Sequence, residues 1–301
     1  MRPRRSLLQI LASSLLGLPW RLWLCFPKSM RASVYIRLGR WYSIQEWNIQ
    51  RLPFGLILKH TQDRPPEIEA DNIKFVQENT TIPVPRILDV LPDIPKGNTS
   101  GGGSPAKTTY PPEFLHYSDL IFELSELMKS FNKPVSGLHG SPFVHIRCGD
   151  RCLVQPLKNI RSFHDMLLAN VSFMSRMPRL LQMASPVYAK PHKLCFSHCD
   201  LNHTNILVTE DGQLAAIIDW EAAGWFPEYW EYTSQVMQSV DSEILAKFWN
   251  AVGVFEKGCY EKELELERAL WHSTGDTAVP PGIMPDDPLD IPLHEDKNVK
   301  W

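Results

Sequence analysis

One stretch, Phe196 to Tyr232 (FSHCDLNHTNILVTEDGQLAAIIDWEAAGWFPEYWEY), constrains this chain more than any other. Two apolar runs, Ile206-Leu207-Val208 and Leu214-Ala215-Ala216-Ile217-Ile218, flank the turn signal Glu210-Asp211-Gly212 and read as two buried strands of one hairpin. Around them the sequence spaces His198, Asp200, Asn205 and Asp219. A nucleotide triphosphate carried with Mg²⁺ needs hard oxygen ligands, usually carboxylates and an amide carbonyl. The hydroxyl that accepts its phosphoryl group needs a carboxylate to orient it and take its proton. Asp200 lies in a polar loop five residues before Asn205, so one loop can aim a base and turn an amide oxygen toward a cation. Asp219 closes the second strand, where a rigid element delivers a further carboxylate.

Each of these residues also has an ordinary structural use. A single His such as His198 commonly braces a loop by hydrogen bonding, and Asx residues in loops commonly satisfy their own backbone. Asp219 has the simple alternative of capping the next turn of the chain. It is the joint spacing H-x-D-x-x-x-x-N, followed by a strand that ends in Asp, that points to phosphoryl transfer.

At these residues the chain resembles the aminoglycoside phosphotransferase family of kinase-like enzymes, and more narrowly its fungal branch. Members of that branch carry a similar H-x-D-L-x-x-x-N-I-L-V stretch followed by I-D-W-E-x-A-G-W-x-P-E-Y-W-E-Y. The resemblance extends outward. Arg51–Lys59 (RLPFGLILK) is similar to the strand that brings the phosphate-binding lysine, Glu69–Arg86 to the helix and strand entry behind it, and Glu261–Gly275 to the closing helix.

That resemblance implies an α+β, protein-kinase-like, two-lobed fold with a small mixed α/β N-lobe, shortened here, and a mainly helical C-lobe. It implies ATP and Mg²⁺ as cofactors. Lys59 binds the nucleotide phosphates and pairs with Glu69; Asp200 is the catalytic base, with His198 bracing its loop; Asn205 and Asp219 hold the metal. The implied activity is ATP-dependent transfer of the γ-phosphate to a hydroxyl of a small molecule. From the residues alone, Lys59 is a strand-end lysine and Glu69 a first-turn acid suited to the helix dipole.

One departure matters. Pro92–Pro112 (PDIPKGNTSGGGSPAKTTYPP) stands where such a fold needs further strands and an adenine-reading hinge, and it has too little apolar surface to order itself. It reads as a flexible linker. No phosphate-covering glycine loop precedes Lys59 either. The alternative is therefore a non-catalytic, kinase-like binding protein with a degraded adenine pocket.

Composition bounds the rest. The 301 residues, 44% of them hydrophobic, suffice for two lobes with real cores. A net charge of −3 gives no general attraction for nucleic acid or anionic lipid, and no basic patch with interleaved aromatics is present for strand binding. The six cysteines show no paired metal spacing, and a disulfide at Cys199 would distort the catalytic loop. A reducing, cytoplasmic setting fits. Residues 6–26 read as an apolar helix that packs on the lobe or lies on a membrane surface: the basic start and apolar run resemble a signal segment, but no small-x-small site follows and Arg21 interrupts the run. Of the four N-x-S/T sequons, the one at Asn202 would block the catalytic loop if glycosylated.

The expected organisation is an N-terminal apolar helix and lead-in (1–45), a small nucleotide-binding lobe (46–91), the linker (92–112), a helical catalytic lobe (113–279) and a disordered tail (280–301). Helices are expected over Tyr117–Phe131 and Ser162–Met183, the catalytic hairpin over 195–220, and helices through most of 225–275. The Met-rich face of 162–183 is expected to fill core. The aromatic run from Trp220 to Tyr232 is expected to pack the helical lobe. Glu221, Glu228 and Glu231 read either as an acceptor-receiving acidic cluster or as a solvated acidic helix.

Overall fold

Leu194–Ser197 is buried at every position, so it needs covering on both faces as well as partners at its edges. The computed structural model supplies them and describes residues 20–42, 45–46, 49–53, 56–60, 65–91, 127, 134–145, 153–209, 211, 213–238, 259–274 and 288–289. These form a mixed α/β protein whose chain divides into two compact units, residues 1–70 with 86–109, and 71–85 with 110–301.

In the first unit, helix α1 (Lys28–Tyr42) is followed by a three-stranded antiparallel sheet of β1 (Gln45–Glu46), β2 (Ile49–Arg51) and β3 (Ile57–Lys59), in that order. The segment 51–59, expected as one strand, is a strand end, a turn and a second strand. Pro53 makes the turn: Leu52 N–H donates to the Leu56 carbonyl at 2.8 Å, and β2 and β3 pair Arg51 with Ile57 and Ile49 with Lys59. Helix α2 (Pro66–Asn79) starts with Pro at its first position and with Glu67 and Glu69 in its first turn, both favoured there by the free N–H groups and the dipole. It buries Ala70, Ile73 and Val76 along one stripe. The division between the units falls inside this helix. Beyond it, 80–91 forms neither helix nor strand.

The second unit contains β4 (Ser136–Gly137), β5 (Phe143–Val144), β6 (Leu153–Val154), α3 (Ile160–Ala169), α4 (Met177–Tyr188), β7 (Leu194–Ser197), β8 (Ile206–Val208), β9 (Leu214–Ile217), β10 (Gly224–Pro227), α5 (Trp230–Gln238) and α6 (Glu261–Ser273). Strand β7 pairs with β10, not with β8; the sheet order is β4-β10-β7, with Phe196 opposite Trp225 and Gly224 opposite both Ser197 and Gly137. Gly224 is required there, because a Cβ would stand 2.6 Å from the Ser136 carbonyl oxygen. The catalytic hairpin expected over 195–220 is thus narrower: only β8 and β9 form one, and its strands are half-exposed rather than buried, with Leu207 42% exposed. Residues 225–227, at the start of the 225–275 stretch expected to be mostly helix, lie instead in strand β10, in keeping with their aromatic residues.

The helix expected over 162–183 is two helices. Asn159 caps the first by accepting from the Ser162 N–H at 2.9 Å, and the chain breaks at 170–173, where Ser172 and Phe173 both donate to the Ser273 carbonyl at the end of α6. Met166, Met177 and Met183 pack against the core, whereas Met174 is exposed. The core itself joins Phe163, Leu180, Leu194, Phe226, Trp230 and Leu270. Its rings meet edge to face, Phe143 with Phe226 at 5.2 Å and Phe163 with Trp230 at 5.0 Å.

Within this core His164 stacks on Tyr188 at 3.7 Å and places Nε2 3.0 Å from the Tyr229 hydroxyl. Burial holds its imidazole down to a pKa of about 3, with His192 the lesser cause. An unfolded chain takes up this proton near pH 6.5 and the folded one does not. Stability should therefore decline as pH falls from 6.5 toward 3, by up to about 1.4 kcal/mol per unit from this group. Urea midpoints measured across that window should show the slope, and His164→Gln should flatten it.

The residues 1–19, the linker 92–112, nearly all of 117–131 and the tail 280–301, apart from 288–289, lie outside the described residues, so the expectations placed on them are not addressed by the structure. Among the described residues, no helix is long and apolar enough to cross a membrane.

Candidate active site

The loop between β7 and β8 is built around its own hydrogen bonds. His198 is fully buried. Its Nδ1 accepts from the Asp200 N–H at 3.2 Å, which assigns the proton to Nε2, and Nε2 then donates to the Ile218 carbonyl at 2.9 Å. This neutral imidazole spans from the loop to the end of β9 and leans on Trp220 at 4.6 Å. Its geometry is that of a brace, not of a proton carrier facing a substrate.

Asp200 is half-buried at the head of the loop. Its Oδ1 accepts from the Asn202 amide at 3.1 Å and its Oδ2 from the Asn205 amide at 3.2 Å, while its backbone carbonyl accepts from Asn205 Nδ2 at 2.7 Å. Because Asn205 spends its amide nitrogen on Asp200, its amide oxygen is the end left for other work. The Asn205 carbonyl takes the Ile218 N–H at 2.9 Å, which ties the loop to the residue before Asp219. A 3-10 turn, His203–Asn205, links these contacts to β8, and the Asn202 side chain also accepts from Thr204 N–H at 2.9 Å.

Asp219 follows β9 in a left-handed conformation, φ 68° and ψ 52°, uncommon for a residue with a side chain. The 3-10 turn Trp220–Ala222 holds it there. Trp220 is fully buried and donates Nε1–H to the Ile217 carbonyl at 2.9 Å, and Asn72 of α2 donates to the Trp220 carbonyl at 2.8 Å. Carboxylate oxygens of Asp219 and Glu221 lie within 4.8 Å of each other. Asp200 and Asn205 are thus bonded to each other within one loop, and that loop is bonded to Ile218, the residue before Asp219. The donors they offer are all oxygens, the set that suits Mg²⁺ rather than zinc.

Within the loop itself, Cys199 also has a positive φ, 67°. Its conformation is held by Glu231 in the first turn of α5: one carboxylate oxygen accepts both the His198 N–H, at 2.6 Å, and the Cys199 N–H, at 3.1 Å. Glu231 is buried, so the acidic-cluster and solvated-helix readings both fail for it. Burial, with Glu231 and Asp200 nearby, pushes the Cys199 thiol well above its usual range. It stays protonated as a free thiol.

Lys59 and Glu69 belong to the first unit. Lys59 Nζ lies 2.7 Å from Glu69 Oε1, joining the end of β3 to the first turn of α2, with only 23% and 10% of the two side chains exposed.

Sequence reasoning named Glu231 as a surface acid and Asn202 as a sequon but missed that they brace the loop, and it missed Asn72 altogether. The trace Glu231 left was an acid embedded in an aromatic run with no local cation.

Residues 159–262 match the model of the phosphotransferase enzyme family. The matched span contains the Asp200 loop, Asp219 and Glu231, and supports a phosphotransferase-like function. No curated protein matches the chain at a significant level. Among solved structures, the chain is similar to one described as "Macrolide 2'-phosphotransferase type I", at 14% identity and a TM-score of 0.43, over 74% of this chain and 80% of that one.

Proposed function

We propose that this chain is an ATP- and Mg²⁺-dependent phosphotransferase of the aminoglycoside phosphotransferase type, of the fungal branch and with a kinase-like two-lobed fold, acting on a hydroxyl of a small molecule in a reducing, cytoplasmic setting. The observation that carries this reading is the bonding of the loop. Asn205 donates its amide N–H to Asp200 and accepts the Ile218 N–H at its backbone carbonyl, so the loop that carries a base and an amide oxygen is tied to the residue next to Asp219.

In this reading Asp200 orients the acceptor hydroxyl and takes its proton. Asn202 and Asn205, both donating to its carboxylate, fix its direction. His198 keeps the loop in register with β9. Asn205 and Asp219 are the residues that would hold Mg²⁺, which when bound neutralises charge on the phosphates. Lys59, held by Glu69, is assigned to the nucleotide phosphates. Residues 46–91 are assigned as the nucleotide-binding lobe and 113–279 as the catalytic lobe.

The test is phosphate release or transfer from γ-labelled ATP by the purified chain, with and without Mg²⁺. Turnover should require the metal, and Asp219→Asn, nearly isosteric but one charge poorer, should abolish the Mg²⁺-stimulated turnover while the circular dichroism stays unchanged. Turnover that is indifferent to Mg²⁺, or an Asp219→Asn protein with the full metal response, would remove Asp219 from the role assigned to it.

A further inference from the structure

The chain's charge is segregated in a way its small net value hides. Eight of the 31 basic residues and none of the 34 acidic ones lie in residues 1–45. Within the described part of that segment, residues 21–30 are exposed at every position but Trp23, and they set Arg21 and Lys28 among Leu22 (62% exposed), Leu24, Phe26 and Met30. Helix α1 extends the same face. Met30 and Trp41 are eleven residues apart, which returns to within about 20° on a helix, and Arg37 lies between them on that side. All three are exposed, Trp41 by 86%, while Arg31, Tyr35 and Gly39 point the other way and are buried.

This surface is rooted rather than loose. Arg31 pairs with Asp89 at 2.7 Å, the Tyr35 hydroxyl donates to the same carboxylate at 3.2 Å, and Trp23 Nε1–H donates to the Tyr35 hydroxyl at 2.6 Å. Trp20 Nε1–H donates to the Leu88 carbonyl at 3.0 Å. The buried members of the segment thus hold its apolar and basic members outward.

From this we infer that residues 21–41 form a docking face for an anionic lipid surface, lying in the interface with its Leu, Phe, Met and Trp side chains at the acyl boundary and Arg21, Lys28 and Arg37 at the headgroups. Charge complementarity names the occupant: a face with exposed cations, no acid and scattered large apolar groups matches an anionic interface. The exposed Trp beside Arg fits the headgroup level. The inference is independent of the phosphotransferase reading, since its readout is partition and not catalysis.

The experiment is sedimentation of the full chain with phosphatidylcholine vesicles, with and without phosphatidylserine, at low and at physiological ionic strength. Pelleting should require phosphatidylserine and weaken with salt. The variant R21Q/K28Q/R37Q should lose about 100-fold in partition, at roughly fivefold per basic side chain near the surface. L22S/F26S/W41S should lose binding as well, with the melting temperature of both variants unchanged. Absence of pelleting, or equal pelleting with neutral vesicles, overturns the inference. Two further results would do so by naming another occupant. One is a concentration-dependent dimer abolished by L22S/F26S/W41S, which would mean a second copy. The other is amide exchange over 21–30 that is already slow without vesicles and unchanged by them, which would mean the chain's own residues.

Discussion

Asp200→Asn is expected to lower turnover by about 10²–10⁴-fold, the usual contribution of a positioned base, while leaving nucleotide affinity and stability close to wild type. The bonding pattern gives the reason. The Asn205 amide donates to the backbone carbonyl of Asp200 at 2.7 Å as well as to its side chain, so the loop keeps its shape when the carboxylate is lost. An asparagine oxygen can still receive one of the two donors, but it cannot take a proton. Turnover and nucleotide titration of the two proteins check this together. Equal loss of binding and turnover would make Asp200 a structural residue.

Glu231→Ala should cost about 3 kcal/mol of stability, since it leaves the buried His198 N–H and the part-buried Cys199 N–H without their acceptor, at roughly 1–3 kcal/mol each, offset in part by no longer burying a carboxylate. The loss goes beyond two hydrogen bonds. Cys199 sits at φ 67°, a conformation that persists only where its surroundings over-determine it, and Glu231 is the brace that does so. Urea unfolding should show the drop in midpoint, and Glu231→Gln, which keeps an oxygen acceptor without the charge, should recover about half of it. Activity should fall in Glu231→Ala even at temperatures where the protein remains folded, because the displaced loop carries Asp200.

How much of this could be read from residues alone depends on the range of the interaction. The Asp200–Asn205 loop and the β8–β9 hairpin are local: their bonds join residues a few positions apart, and Asx spacing plus a turn signal is enough to place them. The pairing of β7 with β10 joins Leu194 to Pro227 across the whole hairpin, and nothing in an aromatic run says whether it lies in a strand or a helix. The same limit hides Glu231, whose partners are 33 and 32 residues away. It also hides the division of 162–183 into two helices, since the acceptor that stabilises the break is the Ser273 carbonyl in α6. Positive φ at Cys199 and Asp219 is invisible for another reason: neither is glycine, so the conformation is imposed by bonds made elsewhere.

The most direct measurement is the melting temperature of the purified chain titrated with ATP, with and without Mg²⁺. A ligand that binds only the folded state at 100 times its dissociation constant adds about 2.7 kcal/mol, so the expected result is a saturable rise that needs both components and disappears in Asp219→Asn. A melting temperature that stays flat under Mg²⁺ and ATP together, or one that rises equally without the metal, would contradict the assignment of this loop and strand end to metal-assisted phosphoryl transfer.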